Sequence, residues 1–203
     1  MYSSLPHFVL GFHGCDRKVG EAILSGTTPQ AKSINTYDWL GHGYYFWENN
    51  PERAIRYAED MKRNPKQTKG KIKEPFVVGA VIDLGHCLNL IESKSLQVLK
   101  SAYTLLEEVA AISGRPLPVN KPASGKPLLR NLDCAVIETL HQYRKKSGME
   151  AFDSVRGMFA EGKELYPGAG FQEQSHIQIC VCNPNCIKGY FRVRNSDETY
   201  PIP

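Results

Sequence analysis

Four successive aromatic residues, Tyr44-Tyr45-Phe46-Trp47, follow Gly41-His42-Gly43, and this run constrains the fold more than any other stretch. A strand sends alternate side chains to opposite faces of its sheet. Tyr45 and Trp47 are therefore expected on one face, Tyr44 and Phe46 on the other. One face can fill a core while the other offers a flat ring to a planar ligand. An aromatic strand that only packs is the plainer alternative. The preceding glycines let the backbone turn or come close to a neighbour.

The rest of the chain reads as strands at both ends with helices between them. Phe8 to His13 is a buried strand ending at His13-Gly14, and Lys18 to Ser25 suits a short helix closed by Gly26. Asn50-Pro51-Glu52 marks a helix start: an N-cap, a proline at the first helical position, and an acid near the positive dipole end. Phe76 to Leu84 is nearly all apolar, as in a central strand. Ser93 to Ser113 carries a helical stripe stopped at Gly114-Arg115-Pro116, and a second long helix runs around Leu132, Val136, Leu140 and Tyr143. Phe152 to Phe159, Ile177 to Val181 and Ile187 to Val193 complete the strands, with the glycine-rich loop Glu161 to Gly170 among them. No repeat or boundary interrupts the 203 residues, which predicts one α/β or α+β domain over residues 1–203.

Composition excludes some classes. No apolar stretch is long enough to span a bilayer, and Met1 to His7 lacks a charged leader region, which predicts a cytoplasmic protein with no membrane partner. The six cysteines are scattered through a chain large enough to fold without staples. Cys180, Cys182 and Cys186 lack a second paired cluster, so reduced packing thiols suit them better than a metal site, and no metal is expected. Much of the net charge of +4 falls between Lys62 and Lys73. That stretch reads as an exposed loop, either a solvated face or a contact for nucleic acid or another acidic partner.

Two nucleotide-binding signatures are missing: there is no G-x-G-x-x-G after a strand and no G-x-x-x-x-G-K-[ST]. Polar residues at strand ends remain as candidates: His13-Gly14, Gly43-Tyr44-Tyr45, Arg156 and the run Glu173 to Gln178. Three of these places resemble the ADP-ribosyltransferase superfamily, in its diphtheria-toxin/poly(ADP-ribose) polymerase-like branch. Phe12-His13-Gly14 is similar to the His-Gly that ends the family's first core strand. Gly41 to Phe46, followed by Ala54 and Tyr57, resembles its G-x-G-x-Y-F strand and the next helix. Gln178 to Asn183, with Ile187 and Tyr190-Phe191 beyond, is similar to the late strand that carries the catalytic glutamate. The chain also looks like small bacterial, toxin-like members of that superfamily.

The resemblance implies an α+β domain whose two small packed β-sheets, flanked by helices, form a cleft for NAD as substrate. His13 would donate to a ribose hydroxyl and the Gly14 backbone would hold the nicotinamide carboxamide. Gly43 belongs to the same cofactor-binding set. Tyr45 would stack on the nicotinamide, with Tyr57 on its other side, about one residue off the family's spacing. Breaking the nicotinamide–ribose bond passes through an oxocarbenium-like state, which calls for flat walls, ribose contacts and electron density near the cation. Arg156 is either a buried ion-pair partner or a pyrophosphate clamp. Gln178 stands where the family has glutamate and can bond a hydroxyl but carries no charge. Glu173 is the candidate for the missing carboxylate and Glu161 a more distant one. The expected activity is therefore mono-ADP-ribosyl transfer to a macromolecular acceptor, protein or nucleic acid, with a cognate inhibitor as a further possible partner. An NAD glycohydrolase is one alternative. A catalytically inactive nucleotide- or nucleic-acid-binding module on the same fold is the other.

Overall fold

The computed structural model describes residues 8–65, 72–123, 126–195 and 199–200. Readings placed on residues 1–7, on the middle of the basic Lys62 to Lys73 stretch and on residues 124–125 lie outside the described residues. The chain begins with β1 (Val9–Asp16), α1 (Arg17–Leu24), β2 (Tyr44–Glu48), α2 (Pro51–Arg63), β3 (Pro75–Ile82) and β4 (Cys87–Asn89). It continues with α3 (Ser93–Ser113), β5 (Asn120–Ala123), β6 (Lys126–Arg130), α4 (Asn131–Lys146), β7 (Ser154–Phe159), β8 (His176–Val181) and β9 (Ile187–Arg192). Among the described residues no helix is long and apolar enough to cross a membrane.

One seven-stranded mixed sheet, ordered β4-β7-β8-β2-β1-β3-β9, gathers strands from both ends of the chain. This corrects the expectation of two small packed sheets. β1 and β2 still pair at Gly11↔Glu48 and Phe12↔Trp47, so the halves join into one ladder. A separate two-stranded ribbon, β5–β6, was not foreseen, nor was the three-residue β4. Segments that short leave no periodicity to read.

The aromatic strand β2 is central because both of its faces are covered. Phe46 is fully buried on one face among Ala80, Ile82, Ile179 and Val181, a burial that contributes about 1.5–3 kcal/mol. α1 covers a neighbouring part of that face through Ile23, which packs on Cys15 and Val78. On the other face Tyr45 packs with Leu40, Leu88, Val155 and Cys180 beneath α3 and α4. Trp47 packs there with Phe12 and Ala54 beneath α2. Asn50 caps α2 by accepting from the Arg53 backbone N–H at 2.8 Å, which is worth about 1 kcal/mol. Ala54 and Ala58 are fully buried, so the helix lies close against β1.

Candidate functional site

The site begins where β1 and β2 part. The Leu10 carbonyl accepts from Asn49 N–H at 2.9 Å, so the backbone edges of Leu10, Phe12 and Gly14 alternate toward β2. The ladder stops at Phe12↔Trp47. The next partner for Gly14 would be Tyr45, but the Tyr45 carbonyl accepts instead from Nδ1 of His13, at 3.0 Å. A side chain thus replaces a ladder bond: β1 has no pairing with β2 beyond Phe12, while Gly14 stays paired with Val77 of β3. Gly14 is also pinned from above. A Cβ there would run into the backbone carbonyl of Ala54.

His13 keeps part of its surface open, yet burial holds its imidazole below the ordinary histidine range. The ring is therefore neutral, with its proton on Nδ1, because a carbonyl can only accept. Nε2 is then an acceptor. The resemblance casts His13 as a donor to a ribose hydroxyl; the bond to Tyr45 reverses that sense. The ring also lies on the face of Phe46, with centroids 6.1 Å apart, opposite the face that carries Tyr45 and Gln178.

Tyr45 is committed to the loop before it. Its hydroxyl donates to the Gly41 carbonyl at 2.8 Å and accepts from the Leu40 N–H at 3.0 Å. Burial raises its pKa well above the usual phenol value. Its ring packs against the α3–α4 core. Gly43 serves close approach of strands, since a Cβ there would strike the Cys180 thiol and the Val181 carbonyl. Gln178 pairs with Trp47 across β2–β8, and its Oε1 accepts from Trp39 Nε1 at 2.6 Å. Trp39 in turn lies under Arg130, 4.8 Å from guanidinium carbon to ring centre. The indole thus takes up the Gln178 carbonyl.

Beside Gln178, Trp47 packs with Tyr57, their rings 4.9 Å apart and tilted by 43°. Burial raises the Tyr57 pKa as well. Arg53 lies over Trp47 at 5.7 Å and donates through Nη2 to Glu161 at 2.5 Å. His176, two residues before Gln178 on the strand, donates from Nδ1 to the Gln174 carbonyl at 2.6 Å. The same nitrogen is 3.7 Å from Glu161. Of the two candidate carboxylates, the structure brings Glu161 into this cluster. Glu173 is exposed and lines a small outer cleft with Asn50, Glu52 and Arg56.

Arg156 resolves to one of its two readings. Its Nε and Nη2 donate to the two oxygens of Glu48 at 2.5 and 2.9 Å, and Nη1 donates to Asn89 at 3.2 Å. Hydrogen bonding to Glu48 raises its pKa further. Arg156 is an ion-pair partner of Glu48 in this structure. The cysteines pack: Cys180 and Cys182 adjoin the α3–α4 core and Cys186 belongs to the cluster on the other side of the sheet, so the three sulfurs do not converge. A Cys134–His42–Glu138 array has its thiol 3.8 Å from Nε2 and its Nδ1 3.2 Å from the carboxylate. Burial, then Glu138, push that thiol up to about 11, which leaves it protonated and a poor nucleophile.

Compared with protein-family models, curated proteins and solved structures, the chain gives no match. Trp39, Trp47 and Arg53 were not singled out as site residues from the sequence. Their signal was weak: Trp47 closes the aromatic run, and Arg53 follows the N-cap by three residues.

Proposed function

We propose that the protein binds NAD and transfers its ADP-ribose to an acceptor as a mono-ADP-ribosyltransferase. The carrying observation is the break in β1–β2 pairing beyond Phe12↔Trp47, where the edge of Gly14 that faces β2 has no β2 partner and His13 takes up the Tyr45 carbonyl. A carboxamide presents one acceptor and one donor and complements that backbone edge. Gln178, on the face of Trp47 and Tyr57, can orient a hydroxyl, while His13 borders the break from the other face and holds the Tyr45 carbonyl. The partly exposed Tyr57 ring would stabilise a developing cation by roughly 1–2 kcal/mol when desolvated. Positioning and electrostatics are what oxocarbenium chemistry asks of a protein. The order of the His13, Tyr45 and Gln178 motifs in the sequence supports the same reading.

The test is incubation with nicotinamide-labelled NAD, following release of free nicotinamide. Release that depends on an added macromolecule supports transfer, and release with free ADP-ribose alone supports the glycohydrolase. No release and no NAD binding refutes both. A specific contact favours the inactive module instead: the Gln178 carbonyl is held by Trp39 at 2.6 Å, and no charge stands at that position. NAD binding without turnover is the outcome that selects it.

A further inference from the structure

Of the six cysteines, Cys15, Cys134, Cys180 and Cys186 are buried, and only Cys87 and Cys182 keep open surface. Cys182 follows the last residue of β8, at the margin of the core beneath α3 and α4. Its sulfur lies 3.9 Å from Nε2 of His141 on α4 and 4.0 Å from the Cys180 carbonyl. Both groups can accept a thiol hydrogen bond, but only the imidazole nitrogen can take the proton itself. His141 is partly exposed too, and its ring stands edge-on to Phe152, with centroids 6.2 Å apart and planes at 75°. Pro184 and Asn185, just beyond Cys182, are exposed.

Charge separates this pair from the other Cys–His contact. Cys134 also has an imidazole near it, His42 at 3.8 Å. It is only 3% exposed, however, and besides that burial the carboxylates of Glu138, Asp38 and Asp133 oppose its ionisation. The neighbours of Cys182 favour ionisation instead. The Cys180 thiol as a donor, opposed by burial, and then His141 and the Lys32 ammonium hold the Cys182 thiol below the ordinary thiol range. Cys180 is buried and keeps its own proton. Its single S–H also reaches the Gly41 carbonyl at 3.5 Å, so the imidazole contact carries more weight than the Cys180 donor. Cys87 is the opposite case: burial pushes its thiol up, and its side-chain partner is Ser154 rather than an imidazole.

We propose that Cys182 and His141 form a thiolation site, at which a low-molecular-weight disulfide is captured as a mixed disulfide. The Cys182 proton passes to Nε2 of His141, and the thiolate attacks one sulfur of the small disulfide. A new S–S bond forms and the old one breaks. The departing half takes up the proton and leaves as a free thiol, so the exchange balances with no other oxidant. Cys180 is poorly placed to displace the adduct, because residues two apart along a strand stand about 6.6–6.8 Å apart at Cα, the outer limit for a disulfide. The site is independent of the function proposed above.

The test exposes the full chain to oxidised glutathione at neutral pH and locates adducts by peptide mass mapping. Parallel alkylation by iodoacetamide ranks the thiols. The expected result is one glutathionyl group on Cys182 and none on Cys87, with Cys182 alkylated at least about tenfold faster than Cys87. In denaturing urea the two should react alike. His141→Gln keeps a polar side chain that cannot take a proton. It should slow glutathionylation of Cys182 about tenfold or more and leave the Cys87 rate unchanged. Equal rates at Cys182 and Cys87 in the folded chain, an unreactive Cys182, or an unslowed His141→Gln would each overturn the proposal. So would an internal Cys180–Cys182 disulfide formed without an adduct. If circular dichroism shows His141→Gln unfolded, the Cys182-to-Cys87 ratio in the unaltered chain decides alone.

Discussion

Replacing Arg156 by methionine tests whether that residue supports the fold or the ligand. The guanidinium holds both oxygens of Glu48 and the amide oxygen of Asn89, and the side chains of Arg156 and Glu48 are only 15% and 10% exposed. Methionine keeps much of the volume but leaves the Glu48 carboxylate buried and unpaired. Removing one member of a buried pair costs roughly 3–5 kcal/mol. Against a typical total of about 5–15 kcal/mol that is a large fraction. With a urea slope of about 2–3 kcal/mol per molar, the unfolding midpoint should drop by about 1–2.5 M. The double variant Arg156→Met with Glu48→Leu removes both charges together and should recover most of the loss, because an apolar replacement of a buried pair is often near neutral. Urea unfolding followed by circular dichroism of the four variants closes the cycle. A single variant within about 1 kcal/mol of the parent would refute the buried-pair argument. So would a double variant no more stable than Arg156→Met. Lost NAD affinity at unchanged stability would return Arg156 to the role of clamp.

Three further outcomes follow from the same geometry. Gly14→Ala sets a methyl against the α2 backbone at Ala54, so calorimetry should show a loss of about 1–3 kcal/mol, with nicotinamide release falling as the β1 edge shifts; an unchanged midpoint would contradict the close packing. Gln178→Glu places a charge where the proposed reaction would develop a cation. At about 5 Å and an effective dielectric near 20 this is worth roughly 3 kcal/mol, a rise of some hundredfold in nicotinamide release, and no rise would argue against oxocarbenium chemistry at this strand. Both His13 and His176 are held below their ordinary pKa by burial, so the unfolded chain binds more protons as pH falls through about 6.5. Stability should be full above that pH and fall below it, by up to about 1.4 kcal/mol per pH unit for each ring. His176→Gln should flatten the slope in urea titrations from pH 7 to 5, and an unchanged slope would refute the assignment.

Much of the element order was legible because it rests on local rules. Tyr45 and Trp47 do share a face because the strand period is two. α2 starts at Pro51 behind Asn50 because capping is written in three adjacent residues, and α3 spans Ser93–Ser113 as its stripe and Gly114 predict. β1 runs on to Asp16 rather than stopping at His13-Gly14, because eight ladder pairs with β3 hold it, and pairing partners 59 to 73 residues away leave no local mark.

The polar residues behaved differently. Which atoms His13, Tyr45, Gln178 and Arg156 meet was decided only by tertiary structure. Arg156 met Glu48 across 108 residues of chain, and Gln178 met Trp39 across 139. Side-chain type states what a residue can bond; only the folded neighbourhood states whether that capacity is already used. The sequence by itself determined an aromatic strand in an α+β chain and the His-Gly that borders it. The tertiary structure decided that β1 and β2 part after Phe12, that Tyr45 is occupied, and that Trp47, Arg53 and His176 pack together.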